Sequence, residues 1–241
     1  MIIIPARLSS KRLPRKVLCD IDGVPMVVRI AQQAQQIDDV VVATDSKEVS
    51  CVVEKHGFTA IMTSPQHNSG TDRVCEAANR LGLADNDIII NLQGDEPLIE
   101  SDVIRVVHEL ATKKKTSKSI MMYSAFKTVD IDIAENPSVV KVVTNSIGDA
   151  LYFSRSLIPF SRDGSLSEYH AHIGIYGYTL SMLRRFCDLQ VSHMENIEKL
   201  EQLRALDNGF RINMVKVASH NISVDTIDDL ERVRKFIANN K

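Results

Sequence analysis

Between Arg7 and Lys16 the chain carries five cations in ten residues (Arg7, Lys11, Arg12, Arg15 and Lys16), with Ser9, Ser10 and Pro14 among them and Pro5 just before. Guanidinium forks and an ammonium supply charge, while serine hydroxyls and free backbone N–H groups supply direction, which is what phosphate binding needs. The stretch matches neither the P-loop nor the dinucleotide glycine pattern. A solvated basic loop is the competing reading. A second cluster is Ile88-Ile89-Ile90-Asn91-Leu92-Gln93-Gly94-Asp95-Glu96-Pro97, an apolar run that ends on two acids. A carboxylate at the end of a buried strand is where a magnesium ion carrying a nucleoside triphosphate would be held; the alternative is a turn capped by Asp95. A third is Ser223-Val224-Asp225-Thr226. If Thr226 caps the following helix, Asp225 is free to complete a magnesium site, although spacing alone favours an acid that complements a helix dipole.

Two further stretches, Tyr152-Phe153-Ser154-Arg155-Ser156 and His170-Ala171-His172-Ile173-Gly174-Ile175-Tyr176, mix aromatic rings with Arg and His. An acidic polyol would need an Arg for its carboxylate and hydrogen-bonding rings for its hydroxyls. His170 and His172 share one strand face but lack a third ligand at zinc spacing. Glu195, Glu198 and Gln202 share a helix face, which spacing alone assigns to solvent. No serine or cysteine triad is suggested.

The elements that must position these residues follow from apolar periodicity. Met1–Ile4, Val40–Ala43, Ala60–Met62 and Ile88–Leu92 read as buried strands, and the first of them as a strand rather than a secretory leader. Pro25–Gln36, with Met26, Ile30 and Ala34 on one face, and Ser101–Lys114, with Ser101 as N-cap, read as helices. That alternation predicts a parallel sheet covered by helices, with ligands outside the carboxyl ends of the strands. Strands Ile120–Phe126, Val139–Thr144, Ala150–Phe153 and Ile173–Tyr178 then extend the sheet with little helix between them. The chain closes with a helix Ile197–Leu206, a strand Ile212–Val217 and a helix opened by a Thr226/Asp229 capping box. Ile197, Leu200 and Leu203 are expected to form the core stripe of the first of these helices.

With 241 residues, 44% of them apolar, and 29 basic against 31 acidic side chains, the chain can form a core and is not disordered. A net charge of −2 argues against nucleic-acid binding, and no apolar run approaches the ~20 residues of a membrane span. Cys19, Cys51, Cys75 and Cys187 read as small hydrophobes in a reducing cytoplasm.

The words Ile3-Ile4-Pro5-Ala6-Arg7, Asn68-Ser69-Gly70-Thr71-Asp72-Arg73, Asn91-Leu92-Gln93-Gly94-Asp95-Glu96-Pro97, Leu151-Tyr152-Phe153-Ser154-Arg155, His172-Ile173-Gly174-Ile175-Tyr176-Gly177-Tyr178 and Val224-Asp225-Thr226 occur in this order. Together they resemble the 3-deoxy-manno-octulosonate (KDO) cytidylyltransferases of lipopolysaccharide synthesis, over essentially the whole chain. The resemblance implies an α/β fold of the nucleotide-diphospho-sugar transferase type: a Rossmann-like, mixed but mostly parallel sheet flanked by helices. It implies a single domain over residues 1–241, with 1–118 mainly binding CTP and 119–241 mainly serving the sugar and dimerisation. By similarity, Arg7, Ser10, Arg12 and Lys16 would hold CTP phosphates, and Ser69, Gly70, Arg73 and Gln93 would surround the cytosine and ribose. Asp95 and Asp225 would bind Mg²⁺, while Arg155, His172, Tyr176, Glu198 and Gln202 would meet the sugar. Catalysis would fall to Lys16, Arg12 and the two aspartates. A cytoplasmic homodimer acting on CTP and KDO is implied, with no nucleic-acid partner and no membrane insertion.

Two departures stand out. Arg15 occupies a place where the family's first loop commonly has glycine; a positive φ there would strain it, and the loop is expected instead to bend slightly differently. Asp72 shortens the usual glutamate of Gly70-Thr71-Asp72-Arg73 by one methylene. Rival readings are activation of an 8-amino analogue of KDO, whose enzymes tend to carry glutamine at the position of Glu96, a sialic acid cytidylyltransferase, or a non-catalytic nucleotide-binding homologue.

Overall fold

The computed structural model describes residues 1–10, 12–114, 117 and 119–240; Lys11 of the basic loop lies outside them. The chain opens with β1 (Ile2–Ala6), where Ile2, Ile3 and Ile4 are all fully buried. Burial on both faces follows from the period of two: Ile2 and Ile4 pack into one helical layer and Ile3 into the other. Each such side chain contributes about 2 kcal/mol of transfer free energy.

After a small hairpin of β2 (Asp20–Ile21) and β3 (Val24–Pro25), the alternation runs α1 (Met26–Ala34), β4 (Val40–Thr44), α2 (Lys47–Lys55), β5 (Thr59–Met62), α3 (Gly70–Arg80), β6 (Ile88–Leu92) and α4 (Ser101–Lys114). Pro25 is the N-cap of α1 rather than its first residue. The fully buried Met26, Ile30 and Ala34 confirm the expected face. The first turn of α4 is closed by the Glu100 carbonyl, which accepts from Val103 and Ile104, so the helix opens one residue before the expected Ser101 cap.

The second part contributes β7 (Ile120–Asp130), a single turn α5 (Ile131–Ala134), β8 (Lys141–Thr144), β9 (Ala150–Ser154) and β10 (Glu168–Thr179). It ends with α6 (Leu180–Asp188), α7 (His193–Glu198), α8 (Gln202–Asp207), β11 (Arg211–Lys216) and α9 (Ile227–Asn239). The sheet runs β11-β7-β10-β6-β1-β4-β5, with β8 paired to β10 and β9 to β8. Along that path every strand is parallel to the others except β10, which is antiparallel to both its neighbours. One sheet therefore passes through both halves of the chain. Helices α1, α4 and α9 cover one face, and α3, α6 and α8 the other.

The expected helix Ile197–Leu206 is two short helices. Lys199 adopts φ 56° and ψ 46° as the C-cap of α7, which ends the helix one turn after its Ser192/Glu195 capping box. Ile197 is consequently 61% exposed and drops out of the expected core stripe, while Leu200 and Leu203 stay buried. Glu195, expected on a solvent face, is buried against Arg204, which donates to it at 2.9 and 2.6 Å. The capping box Thr226/Asp229 forms as expected at the start of α9.

Candidate active site

The order of strands reverses between β1 and β6, the point at which open α/β sheets bind ligands. Two chain segments nearly touch there. A Cβ on Gly94 would stand 2.8 Å from the Pro5 carbonyl oxygen, so only glycine lets the end of β6 lie against the end of β1. From β1 the basic loop turns back over this edge, anchored by buried Leu13 and Val17.

Lys16 is the centre of the rim. Its Nζ donates to Asp95 Oδ2 at 2.8 Å and to Asp225 Oδ1 at 3.1 Å, and Arg12 lies 3.0 Å from the same Asp225 oxygen. Two carboxylates separated by 130 positions in sequence thus converge on one ammonium. The backbone holds them there, because the Val224 N–H donates to the Asp95 carbonyl at 2.8 Å. Val224 is fully buried, and Thr226 and Asp229 occupy each other as a cap, leaving the Asp225 carboxylate to the rim. Burial works to lower the Lys16 pKa, but the adjacent Asp95 and Asp225 carboxylates outweigh it and raise it.

Two hard, anionic oxygen donors aimed at one cation are a donor set that suits Mg²⁺, which takes one or two carboxylates and completes its shell with phosphate oxygens and water. Among the described residues no group of three or more His, Cys, Asp and Glu side chains could hold a metal by itself. On the loop that carries Lys16, Arg7 is exposed just beyond β1, Ser10 is half-buried and Arg12 is exposed.

The first turn of α3 lies beside this edge. Ser69 is its N-cap and accepts from the Asp72 N–H at 3.1 Å. Gly70 packs so tightly that a Cβ would meet Pro5 Cγ at 3.2 Å. Arg73 is buried, with its guanidinium donating to Asp45 Oδ2 at 2.7 Å and Thr63 Oγ1 at 2.5 Å. Its contribution is to lock α3 to the ends of β4 and β5. Gln93 donates from Nε2 to Asn91 Oδ1 at 3.0 Å, which leaves its Oε1 beside Gly70.

From the rim a cleft of about 920 Å³ runs between β10 and the segment before α9, lined among others by Glu96, Arg155, His172, Tyr176, Gln202 and Asp225. A bulge in β10 between Ile173 and Tyr176 shapes it. A Cβ on Gly174 within that bulge would meet Glu96 Oε1 at 2.6 Å. Burial, with the neighbouring Asp95 charge, pushes the Glu96 carboxyl up to about 8, against the opposing hydrogen bonds from Asn221 and Gly174. Glu96 therefore enters the cleft protonated at neutral pH.

His172 is half-buried and desolvation drives its pKa down to about 3, so the ring is neutral. Its Nε2 lies 2.9 Å from Ser124 Oγ, and that hydroxyl donates onward to the Ile175 carbonyl at 2.7 Å, which assigns the proton to Nε2. Gln202 Nε2 donates to His172 Nδ1 at 3.4 Å and to the Tyr176 hydroxyl oxygen at 2.6 Å. The Tyr176 O–H and Gln202 Oε1 remain for a ligand. Burial raises the Tyr176 phenol well above its ordinary value, so it stays a donor. Glu198 accepts from Ser154 Oγ at 2.6 Å and the Arg155 N–H at 3.0 Å, while its own carbonyl takes Arg155 Nε at 2.8 Å. Glu198 thereby orients Arg155.

Several site residues escaped sequence reading. Lys141 is fully buried, with Nζ donating to the carbonyls of Arg155 and Val139 at 2.6 Å each and of Asn136 at 3.3 Å. Lys127 donates to the Asn221 carbonyl at 2.6 Å beneath the cleft. Ser124 is wholly buried in mid-strand. A polar residue inside an apolar strand run was the available signal in each case. Thr128 Oγ1 and Asn221 Oδ1 are buried cleft oxygens without a hydrogen-bond partner among the described residues.

The cytidylyltransferase family model matches residues 1–214. A 3-deoxy-manno-octulosonate cytidylyltransferase of a Nitratiruptor species is 53% identical over 97% of this chain and 98% of its own length. One from Wolinella succinogenes is 48% identical, covering 98% of each chain. Among solved structures, a CMP:2-keto-3-deoxy-manno-octonic acid synthetase complexed with CTP superposes with a TM-score of 0.91. It shares 39% identity over all of this chain and 98% of its own.

Proposed function

We propose that this chain, which belongs to the cytidylyltransferase family and within it to the 3-deoxy-manno-octulosonate cytidylyltransferases, transfers the cytidylyl group of CTP to KDO and releases pyrophosphate. The observation that carries the reading is the convergence of Asp95 and Asp225 on Lys16, at the point where the cationic loop and the acid-sugar cleft meet. The anomeric hydroxyl of the sugar attacks the α-phosphorus in line. A new P–O bond forms, the bond to the β-phosphate breaks, and the hydroxyl proton is lost. Such a transfer asks the protein for alignment and for neutralisation of growing charge rather than for a covalent partner.

Each part of the site has a task in that step. Arg7, Ser10, Arg12 and Lys16 bind and neutralise the triphosphate, and Arg12 and Lys16 stabilise the departing pyrophosphate. Ser69, Gly70 and Gln93 form the wall for the base and ribose, held in place by Arg73. Arg155, steadied by Glu198, meets the sugar carboxylate. Tyr176 and protonated Glu96 offer hydrogen atoms, and Gln202 Oε1, Thr128 Oγ1 and Asn221 Oδ1 offer acceptors, to the sugar hydroxyls. The neutral His172 holds Gln202 at the right angle. Magnesium held by Asp95, Asp225 and phosphate oxygens would supply polarisation of the α-phosphate and a lower pKa for the attacking hydroxyl.

A cytoplasmic homodimer completes the proposal, with exposed Ile147, Leu151 and Phe160 as apolar groups available to a second copy. The test is pyrophosphate release from CTP, UTP, ATP and GTP against a panel of acid sugars with Mg²⁺. Release with CTP and KDO is expected; a preference for another sugar or nucleotide would overturn the substrate assignment, and no release with any would leave a nucleotide binder.

A further inference from the structure

Away from the cleft, α3 and α6 pack together, and their contact holds two of the four cysteines. Cys187 Sγ lies 3.9 Å from the carbonyl oxygen of Thr71, which is one helical turn before Cys75 in α3. Cys75 Sγ accepts from Asn79 Nδ2 at 3.6 Å. Both thiols line one surface pocket of about 550 Å³ with His67, Asp72, Glu76 and Arg80, where Cys187 lies against the helical turn that leads to Cys75. Cys75 is 8% exposed and Cys187 half-buried. The neighbouring Cys187 thiol, with help from the Arg184 guanidinium, lowers the Cys75 thiol below its ordinary value, while the neighbouring Cys75 and burial push Cys187 up. One sulfur is thus prepared to attack and its neighbour to resolve. Cys51, on the exposed side of α2, and Cys19, beside the basic loop, lie on other elements.

We propose that Cys75 and Cys187 are a reversible redox modification site, closing to an intramolecular disulfide by exchange with a small disulfide of the glutathione type. The Cys75 thiolate attacks one sulfur of the small disulfide, forming a mixed disulfide and releasing one thiolate. Cys187 then attacks the Cys75 sulfur, gives up its proton, and expels the second small thiol. The protein loses two electrons and two protons, and the small disulfide gains them as two thiols. Joined sulfurs stand about 2 Å apart, closer than any unbonded pair, so closing the bond draws α6 onto α3. Because α3 begins with Ser69, Gly70 and Thr71, the bond acts on the wall assigned above to the nucleotide. This last consequence rests on the proposed function; the chemistry of the pair does not.

The test is incubation of the full chain with oxidised glutathione, followed by thiol counting and peptide mapping. Four thiols should fall to two with a linked Cys75–Cys187 peptide, and return to four with dithiothreitol. Cys187→Ser should instead retain glutathione on Cys75. A map without the linked peptide, or with only Cys51 and Cys19 consumed, overturns the site. On the linked protein the KM for CTP should rise several-fold and recover on reduction, since small displacements of positioning groups are costly. In Cys75→Ser the oxidant should leave KM unchanged. A linked peptide with an unchanged KM would overturn the coupling to the nucleotide wall, even if the chain proved to have another substrate.

Discussion

Lowering the pH from 7 to 5 should destabilise the protein through one identifiable group, His172. Its imidazole is held neutral at the head of the Ser124–His172–Gln202–Tyr176 chain, and burial drives its pKa from 6.5 to about 3. Between those two values the unfolded chain binds a proton that the native state refuses. The stability from this group is therefore complete above about 6.5 and is lost as pH falls toward 3. At pH 5 the loss is about 2 kcal/mol, from 1.36 kcal/mol for each of the ~1.5 pH units below the unfolded value. The result hardly depends on the folded value, because pH 5 lies well above it. For a chain of 241 residues that corresponds to roughly 4–8 °C in Tm. Glu96 works in the opposite sense: its carboxyl, raised to about 8, contributes stability at low pH that is lost as pH rises through that value. Wild-type melting alone would mix the two. The informative comparison is with His172→Gln, which keeps a hydrogen-bonding amide and does not titrate. Urea unfolding of both proteins at pH 7, 6 and 5 should show the stability difference moving by about 2 kcal/mol in favour of the variant as pH falls. Parallel pH profiles would refute the assignment of a desolvated, neutral imidazole.

Asp95→Asn should lower kcat by roughly two to three orders of magnitude and change the KM for CTP far less, because the carboxylate serves developing charge more than ground-state binding. Steady-state pyrophosphate release checks this, and unchanged turnover would remove Asp95 from the reaction. Gly94→Ala places a methyl 2.8 Å from the Pro5 carbonyl, so β1 and β6 must separate at a cost of about 1–3 kcal/mol; thermal melts should show it together with weakened CTP binding. Arg204→Met leaves the Glu195 carboxylate buried and unpaired, which should cost about 3–5 kcal/mol, whereas Glu195→Met with Arg204→Met should recover most of that loss. Denaturant titrations of the single and double variants measure the difference.

Much of the sheet was legible because local pattern and tertiary role agree. Ile88–Leu92 is a strand by composition and a strand in the fold, and the Thr226/Asp229 cap marks the start of α9 in both. The region from Ser192 to Asp207 departs from its pattern because its outcome depends on contacts that spacing does not carry. Glu195 is buried only because Arg204 comes back across the Lys199 turn to meet it, and Glu198 leaves the solvent only because Ser154 and Arg155 arrive from β9. Asp95 could be nominated from a strand end and Asp225 from its place before a capped helix, but their convergence on Lys16 rests on the Val224–Asp95 backbone bond, a pairing between segments distant in sequence. The hydrogen bonds around His172 and Arg155 were not legible, since neither Ser124 nor Lys141 announces its burial through periodicity.

Arg15 shows how a local departure and a preserved site can coexist. Arg15 takes up φ 58° and ψ 28°, the left-handed region in which a glycine would rest without strain, so a non-glycine side chain is strained there. A non-glycine residue there costs about 1–2 kcal/mol. Part of that cost is offset, since glycine would carry greater entropy into the unfolded chain, and the Arg15 guanidinium pairs with Glu48 on α2. What keeps the residue in this conformation is the site beyond it. Val17 is buried, and Lys16 is held from two sides by Asp95 and Asp225, so relaxing Arg15 to an extended backbone would swing the lysine away from both carboxylates. The strain at Arg15 is therefore the local consequence of holding Lys16 at the rim, and the additional cation it brings is turned to Glu48 on α2.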